Sequence, residues 1–185
     1  MSCSFSPSLT GERNVKISDS CIAIIKQFEG METKAYPDPA TGGAPWTIGY
    51  GHTGTDVRPG LVWNQAQAES VLRTDLARFE FLVNNALTTT VNQNQFDALV
   101  SFCFNVGPGK KGVKDGLLVL KNGNPSSLLR LTNARDFDAA AGQFKFWDNA
   151  AGKKMRGLTR RRAAEAFLYS GLDVVTAIKR GLAAA

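Results

Sequence analysis

The chain has 185 residues, of which 43% are hydrophobic and 21% charged, with a net charge of +6. This is enough apolar sequence for one core or two small lobes, and no run of about 18 apolar residues suggests a membrane span. Residues 1–16 lack a basic start followed by an apolar stretch, so we expect synthesis in the cytoplasm without a secretory signal peptide.

The first predicted element follows an irregular segment. Residues 1–16 show no hydrophobic periodicity and are predicted to form a flexible N-terminal arm. Ser18 is a suitable N-cap, and apolar residues then recur at helical spacing until Gly30. The pattern predicts a helix over residues 19–29.

The next segment is rich in proline and glycine between residues 31 and 55. Two short β-prone stretches, residues 34–36 and 46–50, flank a loop that contains three prolines and two glycines. This composition predicts a small β-hairpin or meander.

From residue 64 onward the pattern is helical. Apolar residues that recur every three or four positions predict a long helix over residues 64–86. The other predicted helices are one that ends at Gly107-Pro108, followed by helices near 113–121, 125–131, 136–147, 159–170 and 173–182.

These elements predict an α+β fold that is mostly helical, with a seam near residue 63. We expect a single domain over residues 17–185. Its parts would be a first helix and β lobe (17–63), a connecting helix (64–86) and a helical lobe (87–185). A cleft between the two lobes is a common place for a substrate site.

The cysteine and histidine content argues against a metal site. The three cysteines, Cys3, Cys21 and Cys103, are widely spaced, and His52 is the only histidine. Cys21 and Cys103 lie in apolar helical patterns, which predicts buried free thiols; a bridge between these two is the alternative. We expect no metal and no cofactor.

Basic residues are concentrated near the C-terminus. The segment from residue 150 onward carries eight basic and two acidic residues, so it holds the whole net charge. Such a segment indicates an anionic partner, which could be a nucleic acid, a membrane surface or a cell-wall polymer.

Two carboxyl groups are candidates for the hydrolysis of a glycosidic bond, which needs one acid and a second carboxylate. Glu29 falls beside the apolar face of its helix and at the helix C-terminus, and both positions favour a raised carboxyl pKa. From position alone, a solvated glutamate at a helix end is the simpler interpretation. Asp38 lies between two prolines, where an aspartate is usually a turn former. Thr47 lies in a β-prone stretch.

Three motifs around these residues resemble the active-site segment of phage-type lysozymes, the endolysins of glycoside hydrolase family 24. The motifs are Phe28-Glu29-Gly30, Tyr36-Pro37-Asp38 and Trp46-Thr47-Ile48-Gly49-Tyr50-Gly51-His52. The gap from Asp38 to Thr47 is longer than in compact members, which predicts an enlarged hairpin tip. Residues 94–102, 104–107, 146–147 and 157–165 extend the resemblance over about residues 17–171.

The resemblance implies a lysozyme-like fold and a role for each site residue. Glu29 would protonate the glycosidic oxygen, and Asp38, helped by Thr47, would activate a water on the opposite face of the sugar. This arrangement implies an inverting muramidase that cleaves the β-1,4 bond between N-acetylmuramic acid and N-acetylglucosamine. Phe104 and Asn105 match positions that contact the glycan, and Thr53, just after the Gly51-His52 pair, is a further candidate for substrate contact.

The resemblance also implies a biological setting. We expect a monomer that acts on peptidoglycan in the periplasm after release from the cytoplasm and so lyses bacteria. His52 is expected to have a structural role, and Trp46 is a candidate sugar platform. One of Arg160, Arg161 and Arg162 reaches Glu29 or the substrate, or else the three form a solvated basic face.

Three alternatives stay open from the sequence. The C-terminal basic region could contact an anionic membrane or lipopolysaccharide through an amphipathic helix that contains Val174, Val175, Ile178 and Leu182. A nucleic-acid-binding module is disfavoured, because no reading motif accompanies the arginines. A lytic transglycosylase would use the glutamate without a catalytic aspartate.

Overall fold

The computed structural model describes residues 14–38, 41–150 and 152–184. Residues 1–13 of the predicted arm lie outside the described residues. The elements, in chain order, are α1 (Asp19–Glu29), β1 (Glu32–Pro37), β2 (Trp46–Gly49), β3 (His52–Thr53), α2 (Gln65–Ala86), α3 (Gln93–Val106), α4 (Ser127–Asn133), α5 (Phe137–Ala141), a 3-10 turn (Phe144–Trp147), β4 (Asn149–Ala150), β5 (Lys153–Lys154), α6 (Arg156–Tyr169) and α7 (Val174–Ala183).

Helix α1 has the predicted bounds, and its cap explains where it starts. The Ser18 hydroxyl accepts a hydrogen bond from the backbone N–H of Ser20 at 3.1 Å, while Asp97 on α3 accepts one from the Ser18 backbone at 2.9 Å. The chain leaves the helix at Gly30, whose φ of +71° suits glycine. Because Asp97 binds the start of α1, the helix is fixed against α3.

The predicted β-meander is confirmed as a three-stranded antiparallel sheet in the order β1-β2-β3. In β1 and β2, Tyr36 is opposite Thr47 and Pro37 is opposite Trp46. Thr47 is in turn opposite Thr53 on β3. The sheet therefore brings the predicted site residues Thr47 and Thr53 side by side.

Helices α2 and α3 begin with the same capping device. Asn64 caps α2 and Asn92 caps α3. In each helix the side chain of the glutamine three residues later, Gln67 or Gln95, accepts a hydrogen bond from the backbone N–H of the capping asparagine. Every residue of α3 from 95 to 103 is buried, so this helix runs through the core. The other elements pack around it.

The C-terminal helices close the fold. Helix α7 packs on α6 at Gly181, where an added Cβ would lie 2.5 Å from the Cβ of Ala164. The two helices approach closely because glycine leaves that space empty. None of the described helices combines the length and the hydropathy that a transmembrane span requires.

The prediction of a helix near residues 113–121 is wrong. That stretch forms turns and one isolated bridge between Lys110 and Lys114. The backbones of Gly109 and Gly116 cross so closely that neither position has room for a side chain. Because glycine permits this crossing and also weakens helices, a compact loop replaces the helix.

The helix predicted over residues 136–147 is broken in the middle. It ends as α5 at Gly142, and the chain continues as the 3-10 turn. The helix predicted over 159–170 starts earlier, at Arg156, after the short β4–β5 hairpin, which the sequence did not predict. Two-residue strands leave too short a pattern to recognise.

The chain just before α1 is fixed, although residues 1–16 were predicted to be flexible. Asn84 on α2 receives a hydrogen bond from the Val15 backbone N–H at 3.1 Å and donates one to its carbonyl at 2.9 Å. Glu80 forms an ion pair with Lys16 at 3.2 Å and accepts the Ile17 backbone N–H at 2.8 Å. Residues 15 and 16 are therefore held against α2. The single domain and its division into lobes near residue 63 stay predictions.

The prediction for two of the cysteines is confirmed. Cys21 and Cys103 are buried free thiols, so the alternative of a bridge between them is wrong. Burial raises the pKa of both thiols, that of Cys103 to about 12. Cys3 lies outside the described residues.

Candidate active site

A groove of about 400 Å³ lies where the sheet meets the helices. It contains Thr53 and Phe104, two of the predicted glycan contacts. The Phe104 ring packs edge-on against Phe79, with 5.4 Å between ring centroids. The groove is lined by Gly51, His52 and Thr53 from the sheet, Thr74, Asp75, Arg78 and Phe79 from α2, and Phe104 from α3.

Asp38 and Thr47 lie at the same end of the sheet. Asp38 directly follows Pro37, which is opposite Trp46 in the register, and Thr47 is the next residue of β2. The Asp38 backbone N–H donates to the carbonyls of Gly43 and Pro45, at 3.0 and 3.1 Å. The hairpin tip is therefore closed by backbone hydrogen bonds that fix the position of Asp38.

Glu29 is the last residue of α1, and its side chain is 25% exposed. Its Oε1 accepts a hydrogen bond from Arg161 Nη1 on α6 at 2.5 Å. Among the residues that the structure describes, no hydrogen bond or ion pair engages Oε2. The carboxyl group therefore has one oxygen held by a cation and one left for other partners.

A buried carboxylate holds Arg161 in place. Glu165 on α6 is fully buried, and its Oε1 lies 3.2 Å from Arg161 Nε and 2.8 Å from the hydroxyl of Ser101 on α3. Its Oε2 lies 2.8 Å from Arg162 Nη1, an ionic contact without hydrogen-bond geometry. One carboxylate thus balances two buried guanidinium groups.

The second of these arginines connects the cluster to another predicted site residue. Arg162 donates a hydrogen bond from Nη2 to Asn105 Oδ1 and lies over the Phe102 ring, 4.8 Å from its centroid. Burial lowers the pKa of Arg162, and the charge of Glu165 opposes this change. The cluster of Glu29, Arg161, Glu165, Arg162 and Asn105 therefore spans α1, α3 and α6.

Residues 160–162 do not form a solvated basic face, because two of the three arginines are buried. Arg161 and Arg162 are 2% and 1% exposed. Arg161 is the arginine that reaches Glu29, as the sequence predicted for one of them. Glu165 was not singled out, although its spacing of three and four residues from the arginines is a known signal for ion pairs on a helix.

His52 lies between two carboxylates at the edge of the groove. Its Nδ1 is 2.8 Å from Asp75 Oδ2, and its Nε2 is 3.3 Å from Asp56. Burial acts to lower the pKa of His52, but the hydrogen bonds and charges of Asp75 and then Asp56 outweigh it and raise the pKa. The contacts join β3 to α2, which agrees with the predicted structural role.

We expect the His52 ion pairs to make stability depend on pH. Because the pKa of His52 is raised in the folded state, the contribution is complete below the unfolded value of about 6.5 and is lost as pH rises through the folded pKa. Urea unfolding of the wild type and an Asp75→Asn variant at several pH values checks this. The stability difference should be about 1 kcal/mol larger at low pH; a difference that does not change with pH would contradict it.

Three comparisons place the chain among known proteins. A model of the phage lysozyme family matches residues 26–165. An endolysin of Bacillus phage PZA is 43% identical over 156 residues, which cover 84% of this chain and 55% of the relative. The chain spans about half the length of this relative and of the endolysin of Bacillus phage B103, of which it covers 54%.

Two solved structures are similar over nearly their whole length. The muramidase domain of SpmX from Asticcacaulis excentricus is 36% identical, with a TM-score of 0.68 over 83% of this chain and 97% of that structure. An endolysin from Escherichia coli O157:H7 phage FAHEc1 is 32% identical, with a TM-score of 0.70 over 87% and 97%. The predicted lysozyme-like α+β fold is therefore confirmed, and the chain belongs to the phage lysozyme family.

Proposed function

We propose that this chain is a muramidase that hydrolyses the β-1,4 bond between N-acetylmuramic acid and N-acetylglucosamine in peptidoglycan. Its family and the two similar structures support a glycoside hydrolase. The observation that carries the proposal is Glu29, a partly exposed carboxyl group fixed by a buried arginine. A positioned carboxyl group is what protonation of a glycosidic oxygen requires.

The proposed roles rest on the resemblance to the family and on the contacts of Glu29. Arg161 binds Oε1 of Glu29, so Oε2 is the oxygen that carries the proton to the glycosidic bond. Asp38, held at the closed hairpin tip, activates a water with the help of the Thr47 hydroxyl. If the water attacks the opposite face of the sugar, the reaction inverts the anomeric centre, and the two carboxyl groups should be about 6.5–9.5 Å apart.

The glycan would lie along the groove at the seam. Thr53 and Phe104 line this groove, and Phe104 offers an apolar face to a sugar ring. Asn105 follows Phe104 on α3, and its side-chain oxygen is held by Arg162, which leaves its amide N–H groups as donors toward the glycan. Trp46, the half-buried first residue of β2, stays a candidate platform.

The setting of the reaction is also part of the proposal. We propose a monomer that is made in the cytoplasm and acts on the cell wall in the periplasm after release, which leads to lysis. Contact with an anionic membrane or lipopolysaccharide is a second proposal, supported by exposed Val175 on α7 beside Lys179 and Arg180. Killing of bacteria by a Glu29→Ala variant would reveal such a contact.

The products of digestion test the proposed reaction. Purified peptidoglycan treated with the protein should release muropeptides with reducing N-acetylmuramic acid ends, identified by mass spectrometry. Anhydro ends would show a lytic transglycosylase, and in that case an Asp38→Asn variant should keep most of its activity. No soluble products, under conditions where a known muramidase digests the same wall, would overturn the proposal.

A further inference from the structure

Two basic segments lie near the exposed side chain of Phe146, which belongs to the second of them. The lysine loop (residues 107–124) replaces the helix that the sequence predicted, and the basic hairpin (residues 145–150 and 152–156) contains β4 and β5. Each segment carries four basic residues and one acidic residue. The net charge of the two segments together therefore equals that of the whole chain, +6. The basic residues are Lys110, Lys111, Lys114 and Lys121 in the loop and Lys145, Lys153, Lys154 and Arg156 in the hairpin.

The two segments line adjoining cavities. A cavity of about 660 Å³ contains Lys114 and Lys121, and one of about 510 Å³ contains Lys145 and Lys154. Phe146, which is 64% exposed, lines both cavities and a third of about 590 Å³. The three cavities share Phe146 in their linings, and together we call them the groove. Each part of the groove has at least one lysine in its lining, and the exposed aromatic ring is common to all three parts.

Most of the lysines that line the groove form no ion pair with the described residues. In the described part of the chain, no ion pair engages Lys114, Lys121 or Lys145. Lys145 instead lies over the Phe146 ring, 5.1 Å from its centroid. Lys154 is the exception, with Asp148 at 3.4 Å. A concave surface lined by unbalanced positive charge concentrates a positive potential.

The backbone of the lysine loop is held in one shape by its own hydrogen bonds. Its backbone N–H groups bind carbonyls within the loop, as in Gly112 to Lys121 at 2.9 Å. The single acidic residue, Asp115, accepts the Lys121 backbone N–H at 2.6 Å. Because the loop backbone is already ordered, it loses little conformational entropy when a ligand binds.

The shape and chemistry of the groove select among anionic ligands. A bilayer surface is too flat to enter three adjoining cavities, whereas a flexible chain can follow them. The lining is rich in ammonium donors, which suits a ligand whose oxygens all accept hydrogen bonds and suits a peptide less well. Cations distributed along the groove suit a chain with repeated charges.

We propose that this groove binds a linear polyol-phosphate polymer of the kind attached to bacterial cell walls. Asn105 lines the cavity that contains Lys114 and Lys121, so the polymer would lie next to the glycan. This adjacency rests on the proposed function, whereas binding of the polymer does not. In a wall that carries such a polymer, the bound chains would hold the protein beside the bond that it is proposed to cleave.

Isothermal titration calorimetry with purified poly(glycerol phosphate) tests the proposal without any hydrolysis. A Lys114→Gln/Lys121→Gln variant should bind about tenfold more weakly, and its affinity should depend less steeply on salt because it neutralises fewer phosphates. The matched control, Lys179→Gln/Arg180→Gln on α7, removes the same charge and should bind like the wild type. Thermal unfolding should show that both variants are folded.

Other outcomes would overturn the proposal. These are absence of binding by the wild type, equal binding by the two double variants, or loss of binding in the α7 variant alone. Equal affinity for poly-glutamate would show that the groove does not select phosphate. Binding to phosphatidylglycerol vesicles with the same dependence on Lys114 and Lys121 would assign the surface to a membrane. Failure to digest wall peptidoglycan would count against the proposed function and leave polymer binding unaffected.

Discussion

Replacement of Glu29 with Gln should lower kcat for peptidoglycan hydrolysis by about 10²–10⁴-fold, the usual contribution of a general acid. The amide has nearly the same shape as the carboxyl group but has no proton to give to the leaving oxygen. Arg161 keeps Glu165 as a counter-ion, so the variant should fold. Release of soluble fragments from purified cell walls measures the loss.

Glu32→Gln is the matched control for this prediction. Glu32 lies three residues further along, at the start of β1, and is exposed. The same chemical change there should leave kcat within about twofold of the wild type, since exposed substitutions away from a site have small effects. If Glu29→Gln kept more than about a tenth of wild-type activity, the acid role of Glu29 would be wrong.

Replacement of Glu165 with Gln should have the largest effect on stability. Glu165 is the fully buried carboxylate that balances Arg161 and Arg162, which are themselves buried. Removal of one charge from a buried ion cluster leaves the others uncompensated, at a cost of about 3–5 kcal/mol. For a chain of this size the melting temperature should fall by about 6–20 °C.

Activity and a control variant separate the roles of this cluster. Below the melting transition of the variant, kcat should also fall by about tenfold, because Arg161 is the group that orients Glu29. Glu69→Gln, which removes the partly exposed ion pair with Lys26, should change stability by less than about 1 kcal/mol. Equal unfolding midpoints for the two variants would contradict the proposed importance of the cluster.

The sequence was most informative where local signals agree with burial. Helix α1 was predicted to the residue, because Ser18 and Gly30 mark its ends. It was least informative where the backbone depends on distant contacts. The lysine loop has apolar residues that suggested a helix, but the crossing of Gly109 and Gly116 decides its path.

In the candidate site, too, local motifs were predictable from the sequence and long-range contacts were not. The motifs around Glu29, Asp38 and Thr47 are local in the sequence and were recognisable from resemblance alone. Glu165 lies more than a hundred residues from Glu29, and its role depends on how α6 packs against α1 and α3. Spacing on one helix could indicate the pair with Arg161, but it could not indicate that the pair is buried beside Glu29.

The two buried thiols have a consequence for how the protein tolerates oxidants. A thiol reacts with peroxides and disulfides mainly as the thiolate, and both Cys21 and Cys103 are inaccessible and hold their protons far above neutral pH. Neither residue contributes a crosslink that a reductant could open. The part of the fold that they occupy should therefore keep its packing unchanged on transfer between reducing and oxidising surroundings.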